Sequence, residues 1–151
     1  EDAKKGSVCL VDIHPRHKAR LISISSQPRT MRYIANGKTW TPEKVERFLR
    51  YQKDDQQAPP SRRDNFYWGV ELAGEPRRLV GVVGIHPVKY NPRATKGRAY
   101  VTIFLDEEAK GKGVGTKALK QALKLYRRHR GDSSRVYADV LPSNEPSQKM
   151  L

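Results

Sequence analysis

Between Ala99 and Tyr126 the chain reads AYVTIFLDEEAKGKGVGTKALKQALKLY, and this stretch leaves little freedom in what can be built around it. From Ala99 to Leu105, Val101, Ile103 and Leu105 alternate with Tyr100, Thr102 and Phe104, which predicts a strand covered on both faces. Asp106, Glu107 and Glu108 end it. The run Lys110-Gly111-Lys112-Gly113-Val114-Gly115-Thr116 then opens a helix, with Val114, Ala118, Ala122, Leu125 and Tyr126 spaced to share one face. Three glycines at alternate positions let backbone approach an anion closely, and a helix start supplies N–H groups with no intrahelical partner. Strand, glycine turn and helix together predict a phosphate cradle.

Three phosphate-binding patterns are possible there. A GxxxxGK[ST] loop fails, because Thr116 stands five residues after Gly111 and Lys117 is followed by Ala118. A dinucleotide GxGxxG/A fingerprint matches at Gly113, Gly115 and Ala118, but it needs an enclosing βαβ unit. The preceding sequence predicts a hairpin instead. The third pattern is Arg/Gln-x-x-Gly-x-Gly/Ala, matched from Lys110 to Gly115 with Lys110 in the Arg/Gln place. Downstream, Val136–Val140 reads as the next strand, and Asn144-Glu145-Pro146-Ser147 follows as Asn-x-x-Ser. In this order the chain resembles the GCN5-related N-acetyltransferases (GNAT family). The segment MRYIANGKTWTPEKVERFL is similar to the subgroup acetylating ribosomal-protein N-termini, polyamines and aminoglycosides.

At 151 residues the chain is expected to be one domain, 1–151, with a single core. Thirty Lys and Arg against 16 Asp and Glu leave a net charge of +14, a bias toward polyanionic partners. One cysteine, Cys9, excludes an internal disulfide and a cysteine-based zinc site, and its strand-like setting predicts a buried thiol. No apolar run approaches a membrane span, so no membrane partner and an intracellular location, cytoplasmic or nuclear, are expected. The family's last strand pair would follow Leu151, so the domain is expected to lack its C-terminal strands.

Taken in order, Ser7–Ile13 predicts a first strand, and the resemblance turns the ambiguous run Pro15–Ser25 toward helix, broken at Gln27-Pro28. Arg29–Ile34 predicts a short helical turn. Thr41-Pro42-Glu43 is a helix start that should run to about Lys53, with Val45, Phe48 and Leu49 inward and Trp40 stapling the entry. Asp54–Asp64 reads as a solvated loop. Phe66–Leu72 and Leu79–Ile85 predict an antiparallel hairpin, in which Gly81 and Gly84 require a bulge or a close approach. Pro87–Arg98 reads as a basic loop.

The resemblance implies an α/β (α+β) fold, a central mixed, mostly antiparallel sheet flanked by helices, and acetyl-CoA as co-substrate. It implies that the pantetheine arm lies along the backbone of Ile103, Phe104 and Leu105. Backbone from Gly111 through Lys112, Gly113, Val114 and Gly115 to Thr116 would hold the pyrophosphate, Asn144 would contact the pantetheine, and Lys110, Lys112 or Lys117 would approach the phosphates. Acetyl transfer to a primary amine also needs a base. Where many members carry a central-strand glutamate, this chain has Tyr100 and Thr102, and the usual acid tyrosine falls at Leu151. Candidate bases are Glu71, His86 and Asp139, each with the alternative of a surface or salt-bridged role. The aromatic cluster Phe66-Tyr67-Trp68 could help line an acceptor cleft, but at least half of it should be core, since alternate strand residues face opposite ways. The charge ranks a protein or peptide amine, on an acidic or nucleic-acid-containing partner, above a free polyamine. The alternative is a catalytically weak module of the same fold binding nucleic acid or a ribonucleoprotein through its basic surface.

Overall fold

The computed structural model describes residues 7–32, 34, 37–59, 65–74, 77–86, 98–130 and 135–137. Its sheet has five strands in the order β1 (Val8–Val11), β2 (Phe66–Leu72), β3 (Arg78–His86), β4 (Arg98–Leu105) and β5 (Arg135–Tyr137). The first four are antiparallel neighbours and β5 runs parallel to β4, so the sheet is mixed and mostly antiparallel, as the resemblance implies.

Helix α4 (Val114–Arg130) covers one face of the sheet. Its Val114, Ala118, Ala122 and Tyr126 are buried against Phe66, Trp68, Val80, Val83 and Ile85, the spacing read from the sequence. Helices α1 (Lys18–Ser25), α2 (Pro28–Met31) and α3 (Pro42–Gln57) cover the other face, where Leu21, Ile24, Met31, Val45 and Leu49 meet Leu79, Val82 and Phe104. The run after Pro15 is therefore helical, beginning as a 3-10 turn over Pro15–His17.

Strict alternation on β3 cannot put Leu79 and Val82, three residues apart, on the same face. The register shifts between Val70 and Glu71, with Val70 opposite Gly81 and Glu71 opposite Leu79, so one extra residue resets the alternation. Gly84 meets the second expectation, a close approach. The Tyr67 ring lies across it, and a Cβ at Gly84 would stand 2.3 Å from Tyr67 Cε1. Both β3 glycines thus have structural work.

Two expectations need correction. Helix α3 continues past Lys53 to Gln57, so the supposed loop begins as helix. Gln52 is buried and Gln56 Nε2 donates to the Ile13 carbonyl at 2.9 Å, which pins the last turn; the helix stops at Ala58, the residue before Pro59. Cys9 is a free thiol only half buried, because β1 is an edge strand. Of the sequence-derived features, the loop cores at 60–64 and 87–97, residues 138–140, Asp139, Asn144 and Leu151 lie outside the described residues. No helix among the described residues is long and apolar enough to cross a membrane.

Candidate active site

The glycine turn stands where β4 gives way to α4. Asp106 N donates to the Val80 carbonyl at 2.7 Å, and beyond it a 3-10 turn over Glu107–Ala109 redirects the chain. Gly111 and Gly113 then take φ of 76° and 77°, a region costly for residues with a Cβ. A Cβ at either would meet no protein atom within 4 Å, so the turn opens on free space. The Gly113 carbonyl accepts from Lys117 N at 3.1 Å, which makes it the first acceptor of α4. The N–H groups of Val114, Gly115 and Thr116 consequently belong to the first turn, where no intrahelical acceptor exists. Lys110 and Lys112 are exposed beside them. Left-handed glycines, free space and first-turn donors fit a pyrophosphate.

A side-chain latch that sequence reading missed holds this turn. Asp106 is buried; Arg20 Nη2 donates to its Oδ2 at 2.7 Å and Gln27 Nε2 to its Oδ1 at 3.2 Å. Arg20 Nε also donates to the Leu79 carbonyl at 2.9 Å. Gln27 Oε1 accepts from Glu107 N at 3.1 Å, and the Thr30 hydroxyl shares its proton between Gln27 Oε1 at 3.0 Å and the Leu105 carbonyl at 2.8 Å. Burial would raise the Asp106 carboxyl, but hydrogen bonds from Arg20, Gln27 and Glu108 N hold it below the usual carboxylate range. Nothing local ties Arg20 to Asp106, 86 residues away, so the pair was not legible before folding.

The backbone of β4 has two differently directed edges. The Asp106–Val80 bond sets the phase of the antiparallel ladder, in which bonded and non-bonded pairs alternate. Phe104 and Thr102, opposite Val82 and Gly84, therefore point their amides at β3. The amides of Val101, Ile103 and Leu105 point to the opposite edge, where β5 pairs with residues 98–100. Of the three residues expected along the pantetheine, Ile103 and Leu105 present backbone to that edge, and Phe104 instead buries its ring against α3 and Trp40.

Of the candidate bases, the two among the described residues, Glu71 and His86, are not brought together. His86 Nε2 lies 2.7 Å from Thr102 Oγ1 and its ring stacks on Tyr67 with centroids 5.7 Å apart, on the α3 side of β4. Glu71 sits at the far end of the hairpin, opposite Leu79, about 20 Å along the strands. It is buried, accepting from His17 Nε2 at 3.0 Å and Arg16 Nη1 at 3.5 Å. Because His17 Nδ1 accepts from His14 N at 3.0 Å, the proton of the neutral ring is on Nε2 and points at Glu71. Burial pushes the His17 pKa down, against the pull of Glu71. This pair ties the 3-10 turn before α1 to the sheet. Phe66 and Trp68 are core, as half of the aromatic cluster should be, while Tyr67 lies on the His86 side with burial raising its hydroxyl to about 12.

Comparison with known proteins agrees with this fold. The sequence profile described as "Acetyltransferase (GNAT) domain" matches residues 7–151. Among solved structures, the fold is similar to spermidine N-acetyltransferase from Vibrio cholerae in complex with CoA and spermine. The TM-score is 0.71 at 16% identity, covering 95% of this chain and 76% of that one. It is similar also to the ribosomal L7/L12 α-N-protein acetyltransferase RimL in complex with coenzyme A (TM-score 0.72, 14% identity, 98% of this chain and 77% of that one). A GNAT-family acetyltransferase from Bacillus anthracis gives 0.69 at 18% identity, over 97% of this chain and 78% of the other. Among curated proteins, none matches by sequence.

Proposed function

The chain belongs to the GNAT acetyltransferase family, and from that premise we propose that it moves the acetyl group of acetyl-CoA to a primary amine of a protein or peptide, with Thr102 and His86 relaying the amine's proton. The observation that carries the reading is the alignment of one strand with one turn. The outward amides of Ile103 and Leu105 lead directly into the open turn at Gly111–Gly113 and the first turn of α4. Acetyl-CoA supplies the acetyl group as a thioester.

The chain's residues would act as follows. Backbone N–H groups from Val114 to Thr116 hold the pyrophosphate, with Lys110 and Lys112 as point charges. The outward N–H groups of β4 hold the extended arm and face the carbonyl oxygen as negative charge develops there. The amine nitrogen bonds to the carbonyl carbon, the carbon–sulfur bond breaks, and the thiolate leaves to take a proton from water. Thr102 Oγ1 accepts the amine's proton as it passes its own to His86 Nε2. Glu71, held by His17 and Arg16, supports the sheet rather than the proton transfer. Asp139 stays a further base candidate on its chemical type, and Asn144 keeps the pantetheine contact that the resemblance implies. The +14 charge supports a protein or peptide acceptor, on an acidic or nucleic-acid-bound partner, over a free polyamine.

The test is calorimetric titration with acetyl-CoA of the wild type and of a Gly113→Asp/Gly115→Asp variant. Binding by the wild type that disappears in the folded variant is the expected result, followed by turnover with peptide N-termini. A folded wild type that binds no acetyl-CoA overturns the reading.

A further inference from the structure

Helix α4 turns Val114, Ala118, Ala122 and Tyr126 inward, and on the opposite face Lys120, Lys124, Arg127 and Arg128 stand exposed. These four cations follow one another at spacings of four, three and one residues, so they form a single stripe. Surface helices usually interleave such positions with carboxylates; α4 contains no Asp or Glu. The ion pairs among the described residues lie elsewhere, at Arg16, His17, Lys18, Arg20 and Arg78, and none involves the stripe. Like charges at i, i+4, as at Lys120–Lys124 and Lys124–Arg128, oppose helix formation by a small amount, while Arg127 and Arg128 in the last turn also complement the helix dipole. The same four side chains and Leu123 line a shallow recess of about 410 Å³.

We propose that this outward face of α4 is a docking surface for the phosphodiester backbone of a nucleic acid. From Lys120 to Arg128 the helix rises about 12 Å, or about one positive charge per 4 Å. That density is close to the one phosphate per about 3.4 Å along a strand. Arg127 and Arg128 add planar forks that bind phosphate oxygens in pairs. An acidic protein surface fits less well, because among the described residues lining the recess the half-buried Leu123 is the only apolar one and no aromatic anchor is present. Base edges are not contacted by such a face, so the binding is sequence-independent. The proposal does not rest on acetyl transfer: the stripe begins beyond the first turn of α4 and uses none of the residues assigned to acetyl-CoA.

The experiment is fluorescence anisotropy of the full chain with a labelled 20-nucleotide single-stranded RNA, the matching DNA and the DNA duplex, in 50–200 mM salt. A Lys120→Gln/Lys124→Gln/Arg127→Gln variant is compared with Arg47→Gln/Arg50→Gln/Lys53→Gln, which removes the same charge from exposed positions of α3. Wild-type affinity should fall with salt at a log–log slope near −3 for single strands, at about 0.7 per phosphate neutralised. The α4 variant should lose at least tenfold in affinity, with a slope shallower by about two units, while the α3 variant stays within threefold. Circular dichroism melting monitors folding, and a single Lys124→Glu chain provides the same comparison should the triple variant unfold. Equal losses in both variants, no binding at 50 mM salt, or equally tight binding of poly-glutamate would overturn the proposal. So would parallel loss of acetyl-CoA affinity in the folded α4 variant, since the stripe would then belong to the cofactor site.

Discussion

Thr102 and Gly84 face each other across β3 and β4, and the two residues make opposite demands on the same small volume. The proposed relay uses the Thr102 hydroxyl 2.7 Å from His86, so Thr102→Val, which keeps the shape and removes the hydroxyl, should lower kcat by about 10²-fold, within the range for a lost proton relay. Thr102→Ser should retain most of it, and KM for acetyl-CoA should not move in either. Circular dichroism melting and calorimetric titration of both variants with acetyl-CoA distinguish this from loss of structure, since neither should change in the valine chain. Gly84 must leave room for the Tyr67 ring on which His86 stacks. Gly84→Ala should cost about 1–3 kcal/mol in urea unfolding, as overpacking does. In a Tyr67→Ala background most of that cost should vanish, because the ring is what the new methyl would strike.

At the scale of elements, the fold's central joint is the seam between α1–α2 and the end of β4. Arg20, Gln27 and Thr30 converge on Leu105, Asp106 and Glu107, immediately ahead of the glycine turn. Arg20→Ala leaves the buried Asp106 carboxylate without its charged partner, so a loss of about 2–3 kcal/mol is expected. Acetyl-CoA affinity should fall as well, because the turn is no longer held, and calorimetry on the folded variant reads this directly. Arg20→Lys should recover little, since one ammonium cannot reproduce the fork that reaches both Asp106 and the Leu79 carbonyl. The seam thus adjoins the glycine turn, and the His86–Thr102 pair lies further back along β4.

At the scale of the whole molecule, two buried groups among the described residues, His17 and Asp106, tie stability to pH on the acid side. His17 has its pKa below the ordinary value of 6.5, so the unfolded chain takes up a proton that the native one refuses as pH falls below that value. Asp106 has its carboxyl lowered, so its contribution persists to lower pH and is lost only as the pH falls through that depressed value. Both signs make stability fall toward acid, first through His17 and then through Asp106. The urea midpoint should decline from pH 7 to pH 5 in the wild type and stay nearly flat over that interval in His17→Gln.

How much of this was readable before folding follows from the range of the interactions involved. The β4–turn–α4 unit, the helix start at Thr41-Pro42 and the inward face of α4 are local patterns, fixed by residues within a few turns of each other, and they stand where the sequence places them. The end of α3 lies beyond local patterns because Gln56 is held by Ile13, 43 residues earlier, a contact no local rule contains. Glu71, His86 and Asp139 were candidates on chemical type alone. Folding separates Glu71 from His86 by the length of a hairpin and binds Glu71 to His17, and only the strand register brings Thr102 to His86. What the sequence by itself determined was the order of elements, the glycine turn and the family, because backbone conformation and hydrophobic period are properties of neighbouring residues. The tertiary structure alone decided which polar groups meet, since Arg20 with Asp106, and His86 with Thr102, are joined through strand pairing and helix packing across the intervening chain.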